Sequence, residues 1–186
     1  MLRRAPLLLL LTLAACDRSD APQSEPAKAS AVEPTAAPKS SASAGGAPVT
    51  AKYSVPERTP EDLQAAAAKS CRAAADKGQP LLLEFSADWC GDCKALHALE
   101  QQQPLATELA RWDVEQVNVG RFDRHAKLLE AFKVKSIANW VVVATDQCDA
   151  PLHTWKVKAQ REVEPASGGP VTGGILAHWL GVARGS

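Results

Sequence analysis

Cys90 and Cys93 are separated by two residues in the run Trp89-Cys90-Gly91-Asp92-Cys93-Lys94. The apolar stretch Leu81-Leu82-Leu83-Glu84-Phe85 precedes them and reads as a short buried strand, and a helical pattern follows. A Cys-x-x-Cys pair at a strand-to-helix junction is suited to thiol–disulfide exchange. The first cysteine falls where a helix presents unpaired N–H groups and the positive end of its dipole, both of which favour a thiolate. The second lies one turn on, within reach of a disulfide. Cys90 is therefore assigned as the nucleophile and Cys93 as the resolving thiol, which frees a bound partner from the mixed disulfide. Asp92 adds negative charge beside Cys90, raises its pKa and tilts the pair towards reduction. Lys94 opposes this in part.

The same cysteines admit two other classes of function. Cys90, Cys93 and His97 form Cys-x-x-Cys-x-x-x-His, and Cys93 and His97 share one helix face at i and i+4. With a further ligand that set would hold copper or zinc as a metal carrier. A covalent haem site is excluded, because Lys94 and not histidine follows the second cysteine. The third class is a binding module that keeps the architecture without turnover. No cofactor is called for. No Ser-His-Asp constellation, phosphate-cradling loop or paired-carboxylate signature is evident, and Gly168-Gly169 with Gly173-Gly174 reads as loop.

The elements that must position the cysteines follow from periodicity and punctuation. A helix is expected from Pro60, capped by Thr59, with Glu61 and Asp62 in its first turn and Gly78 beyond its end. Helix is expected from Cys90 to about Leu109, interrupted at Pro104. Asp113 to Val119 alternates as a strand, Asp123 to Phe132 has helical spacing, and Trp140 to Ala144 is a β-branched strand core. His153 to Val163 reads as a half-exposed edge strand, and Ile175 to Val182 as a closing helix. The order is α-β-α-β-α-β-β-α, an α/β domain whose central mixed sheet is flanked by helices. Cys71 and Cys148 read as two independent cysteines, although export would permit a disulfide between them. Trp112, Trp140, Trp155 and Trp179 read as packing or surface residues. His125 and His153 read as solvated, and His178 falls in the last helix.

The chain has 186 residues, 46% of them apolar, enough for one packed core. Its 21 basic and 21 acidic residues balance, which argues against nucleic acid as a partner. No apolar run is long enough to span a bilayer. Residues 1–15 read as a signal peptide: Arg3 and Arg4, then an apolar stretch, then small residues. Leu13-Ala14-Ala15-Cys16 resembles the lipobox of bacterial lipoproteins, which implies lipidation of Cys16 and stable anchoring. Asp17 resembles an inner-membrane retention signal. Loss of residues 1–15 leaves a net charge of −2. Residues 16–56 hold the lipidated cysteine and an Ala/Pro/Ser-rich tether that cannot bury enough surface to fold. A coil of about 40 residues has a typical end-to-end distance of roughly 35 Å. The folded domain is expected over residues 57–186.

The segment from Leu83 to Lys94 resembles the active-site segment of the thioredoxin family, especially periplasmic domains of transmembrane electron relays. The similarity extends through Gln116-Val117-Asn118-Val119, Leu128 to Phe132 and Ile137 to Val143. It implies a thioredoxin fold and a monomeric thiol–disulfide oxidoreductase that reduces protein disulfides. The lipobox-like leader implies that the domain sits at the periplasmic face of a bacterial membrane, and a reductase in that compartment needs an electron donor, expected to be a membrane protein. The family's buried acid, which helps deprotonate the resolving cysteine, falls on Glu84. Trp89, Gly91, Asp92, Ile137, Ala138 and Asn139 are implied as the substrate groove. The family's cis-proline opposite the cysteines is replaced here by Ala138, which leaves a trans loop or a non-proline cis bond as alternatives. That proline also resembles a guard against metal capture, so its absence keeps the carrier reading open.

Overall fold

The computed structural model describes residues 53–164 and 171–185. The signal peptide at 1–15, Cys16, residues 17–52 of the tether and Gly168-Gly169 lie outside these described residues. No helix among the described residues is long and apolar enough to cross a membrane.

Helix α1 spans Pro60–Asp76. The Thr59 hydroxyl accepts the Asp62 N–H at 3.1 Å, and Pro60 occupies a first-turn position that needs no donor. Leu63, Ala67, Cys71 and Ala74 recur at helical spacing and form its buried face. Strand β1, Leu81–Ser86, is buried at every position. Helix α2 runs Gly91–Glu100 and helix α3 runs Leu105–Leu109, with Pro104 separating them as expected of a residue without an N–H. Strand β2 is Asp113–Asn118, helix α4 is Ala126–Ala131, and strand β3 is Asn139–Val143. A single 3-10 turn at Leu152–Thr154 leads to strand β4, Val157–Glu162, and helix α5, Gly173–Gly185, closes the domain.

The sheet order is β2-β1-β3-β4. β1 pairs in parallel with β2 and antiparallel with β3, which in turn pairs antiparallel with β4. This is the mixed sheet with flanking helices that the element order implied. β1 is interior, so its two faces and both edges are covered, which explains its unbroken apolar run. β4 is an edge strand with mostly exposed side chains. The core gathers Leu82, Phe85, Leu96, Val117, Trp140 and Leu180 from both layers. Trp140 is fully buried and stacks on Trp179 with ring centroids 6.2 Å apart. Trp112 is buried as well, its Nε1 donating to Glu108 Oε1 at 3.3 Å.

Four expectations are corrected. The fourth helix starts at Ala126 rather than Asp123, because His125 takes a left-handed conformation (φ 55°) that cannot belong to the helix. The last strand starts at Val157 rather than His153. Trp155 turns inward instead, donating its Nε1 hydrogen to the Ala150 carbonyl at 3.0 Å, and the 3-10 turn before it takes up the chain. The folded part does not begin at Glu57: Val55 is buried, its N–H donates to Asp88 Oδ1 at 2.7 Å, and its carbonyl accepts from Asn118 Nδ2 at 2.9 Å. Finally, Cys71 and Cys148 are not independent. They form a disulfide with Cα atoms 5.5 Å apart.

That disulfide ties α1 to the segment between β3 and β4, 77 residues on in sequence. Closing so long a loop removes conformational freedom from the unfolded chain. Replacing both residues by alanine is expected to lower stability by about 2–4 kcal/mol, read as a lower urea midpoint. An unchanged midpoint would mean the bridge contributes nothing.

Candidate active site

The site is built where β1 hands over to α2. Cys90 is the N-cap of α2, in extended conformation, and its Sγ accepts the Cys93 N–H at 3.0 Å. Cys90 and Cys93 are joined in a disulfide with Cα atoms 5.3 Å apart. The helix starts here because Ala87 to Trp89 turn the chain out of the sheet, with the Cys90 N–H donating to the Ala87 carbonyl at 3.1 Å. The disulfide thus lies at the positive end of the α2 dipole, and one free helix N–H already points at the Cys90 sulfur. After reduction the same groups face a thiolate, which they stabilise.

Trp89 carries the outer face of the site and is 49% exposed. It is held from below by its Nε1–H, which donates to the Gly120 carbonyl at 2.6 Å, and from the side by Phe122, with ring centroids 6.5 Å apart. Gly120 has φ +59°, and a β-carbon there would meet Asp123 Oδ1, so the turn that seats Trp89 requires glycine. Gly91 is exposed and Asp92 half-buried beside the cysteines. Ile137 and Ala138 belong to the same buried cluster as Cys90 and Cys93. The Ile137–Ala138 peptide bond is cis, and the Ala138 carbonyl accepts the Val163 N–H at 2.8 Å. Asn139 departs from the groove assignment. It is buried in β3, in register with Phe85 and Glu162, and its Oδ1 accepts from Gln160 Nε2 at 3.2 Å.

On β1, six residues before Cys90, lies a buried acid. Glu84 is only 2% exposed, and its Oε1 has no hydrogen-bond partner. Burial pushes its carboxyl up to about 8, with the Glu100 charge adding to the rise and Gln116 and His97 opposing it. Glu100 is itself raised to about 7 by burial. Tyr53 closes one side: its hydroxyl is hydrogen-bonded to Ser86 Oγ, its ring lies 5.1 Å from that of His97, and burial pushes its pKa up to about 12.

His97 is turned towards this acidic pocket. Its Nδ1 stands 3.4 Å from Glu100 Oε2, while Cys90 and Cys93 are bonded to each other. Cys90, Cys93 and His97 are therefore not assembled as a ligand set, and no group of three His, Cys, Asp or Glu side chains among the described residues is arranged to hold a metal. Two residues of the site went unrecognised in the sequence. Glu100 had a usable signal, since Cys93, His97 and Glu100 stand at i, i+4 and i+7 on one helix face. Tyr53 had none, because it lies in a stretch whose composition reads as tether.

The raised acid makes stability depend on pH. The native state keeps a proton on Glu84 that the unfolded chain releases near 4.5. Its contribution is complete below that value and is lost as pH rises through about 8. Urea midpoints are expected to fall between pH 5 and pH 8, and Glu84→Gln is expected to flatten this slope and to be the more stable protein at pH 8. Identical slopes for the two proteins would show that Glu84 titrates normally.

The thioredoxin family model matches residues 63–161, more than half of the chain. Among solved structures, the chain is similar to a disulphide isomerase from Xylella fastidiosa Temecula1, with 24% identity, 69% of this chain and 95% of that one covered, and a TM-score of 0.55. It is also similar to the C-terminal domain of Neisseria meningitidis DsbD in the oxidised form, with 21% identity, 71% and 100% covered, and a TM-score of 0.51. At these identities the likeness is one of fold. No curated protein matches the chain. The family match and the fold agree, and this chain belongs to the thioredoxin family.

Proposed function

We propose that this thiol–disulfide oxidoreductase works as a lipid-anchored reductase of protein disulfides at the periplasmic face of a bacterial membrane. The observation that carries the reading is the Cys90–Cys93 disulfide at the N-terminus of α2, beside an exposed tryptophan. In the reduced form the Cys90 thiolate attacks one sulfur of a substrate disulfide. That bond breaks, a Cys90–substrate disulfide forms, and the departing substrate sulfur takes up a proton. Cys93 then gives its proton to Glu84, in the fraction of molecules whose carboxyl is ionised, and attacks the Cys90 sulfur. The second substrate sulfur leaves, and the Cys90–Cys93 disulfide is restored. Two electrons pass from the dithiol to the substrate in each cycle.

Trp89, Gly91, Asp92, Ile137 and Ala138 form the docking rim in this reading. After each turnover the oxidised pair must be re-reduced, and a dithiol carrier in the membrane would be the donor. The lipobox-like Leu13 to Cys16 supports the anchor, and the charge-neutral composition supports attachment through lipid rather than basic residues.

Cys93→Ser in the full chain should accumulate mixed disulfides on Cys90, seen as adducts that dithiothreitol dissolves. Cys90→Ser should form none. Absence of adducts with Cys93→Ser would overturn turnover through this site. Cys16→Ala should move the protein from the membrane fraction to the soluble fraction, and unchanged membrane association would overturn the lipid anchor.

A further inference from the structure

Glu84 and Glu100 line one cavity of about 390 Å³, together with Arg58, His97, Glu115 and Gln116. We propose that Glu84 and Glu100 share a single proton across this cavity, and that Glu100 is the positioning residue through which Glu84 exchanges protons with water. The inference rests on the oxidoreductase reading and assigns a role to a residue that the exchange chemistry alone does not use.

Glu84 presents a carboxyl oxygen without a partner, and the cavity is several times the volume one water occupies. Glu84 is buried and the Glu100 side chain is 10% exposed, and two such carboxylates facing one cavity do not both ionise at little cost unless a cation is committed to them. The charges facing the pair commit none to Glu84, and the basic group that reaches Glu100 is His97. From the segment before α1, Arg58 is held by Glu115 Oε1 at 2.7 Å and by the Gln116 carbonyl at 2.9 Å. From β2, Glu115 is acidic and receives both Arg58 and the Ser70 hydroxyl. Tyr53 is bonded to Ser86, and Asp88, between β1 and α2, is acidic. From α2, His97 is the nearest basic group, and it lies against Glu100 at 3.4 Å rather than against Glu84. Glu100 lines the same cavity as the sealed acid and lies against this partly exposed histidine, which gives the exchange its route to water. Burial displaces both carboxyls upward, to about 8 and about 7, so that between these values one proton remains on the pair.

The test uses the full chain in its reduced form, with glutamate side chains labelled for carboxyl NMR. In Glu100→Gln the titration of Glu84 is expected to move down by about one pH unit. In Glu84→Gln the titration of Glu100 is expected to move down by the same amount, since coupling is reciprocal. This second variant keeps the test valid should the first fail to fold. The pH profile of mixed-disulfide resolution, followed in single turnover, is expected to shift with Glu100→Gln and to be restored in Glu100→Asp. Independent titration of the two carboxyls would overturn the shared proton, and coupled titration with an unmoved pH profile would overturn the exchange role. A chain that reduces no protein disulfide would sink the oxidoreductase reading and with it the exchange role, while the carboxyl titrations would still decide whether the proton is shared.

Discussion

Every side chain of the strand Leu81–Ser86 is buried, and one of them is a carboxylic acid. Leu81, Leu82, Leu83 and Phe85 each contribute roughly 1.5–3 kcal/mol by leaving water, and their packing makes β1 the centre of the sheet. Glu84 is carried into the interior by that packing. An isolated charge there would cost far more than any one of these side chains contributes, so the carboxyl keeps its proton instead. The remaining features of the site follow from where this strand ends. Its C-terminal end delivers Cys90 to the start of α2, and its parallel partner β2 delivers Gln116 beside Glu84 and the Gly120 turn beneath Trp89.

The two ends of this arrangement face different surroundings. Trp89 stands at the outer rim beside Cys90, which is itself buried; there a helix N-terminus provides positive potential and an exposed ring provides contact area. Glu84 and Glu100 stand in the acidic pocket, where burial holds protons on carboxyls that would release them in water, with Tyr53 against His97 beside them. In the proposed exchange electrons pass at the sulfurs, while the resolving thiol releases its proton towards the interior. The segment Tyr53 to Arg58 joins the two regions, bonding to Ser86, Asp88, Asn118 and Glu115 in turn. Chain that composition would assign to a tether is in this way part of the wall of the acidic pocket.

Much of the fold was legible in sequence because its signals are local. Thr59 caps its helix through a residue three positions on, Pro104 breaks a helix through its own missing N–H, and the run from Leu81 to Phe85 announces a doubly covered strand. Boundaries failed where the deciding contact was distant. The inward turn of Trp155 depends on the Ala150 carbonyl and the packing beneath it, so an alternating pattern from His153 was taken up by a turn instead. Asn139 matched the groove by position, yet the ladder to β4 turned it towards Gln160.

What the sequence by itself determined is the chemistry-bearing pair and its setting: Cys90 and Cys93 between an apolar strand and a helix, with an acid six residues before the first thiol. These relations span one turn or one strand, and side-chain type and spacing settle them. The tertiary structure decided which distant residues share that setting. It joined Cys71 to Cys148 across 77 residues, placed Tyr53 against His97, and brought Glu100 and Glu84 to one cavity. Such juxtapositions depend on strand order and helix packing, which no local periodicity encodes, and they set the protonation of the groups in the acidic pocket.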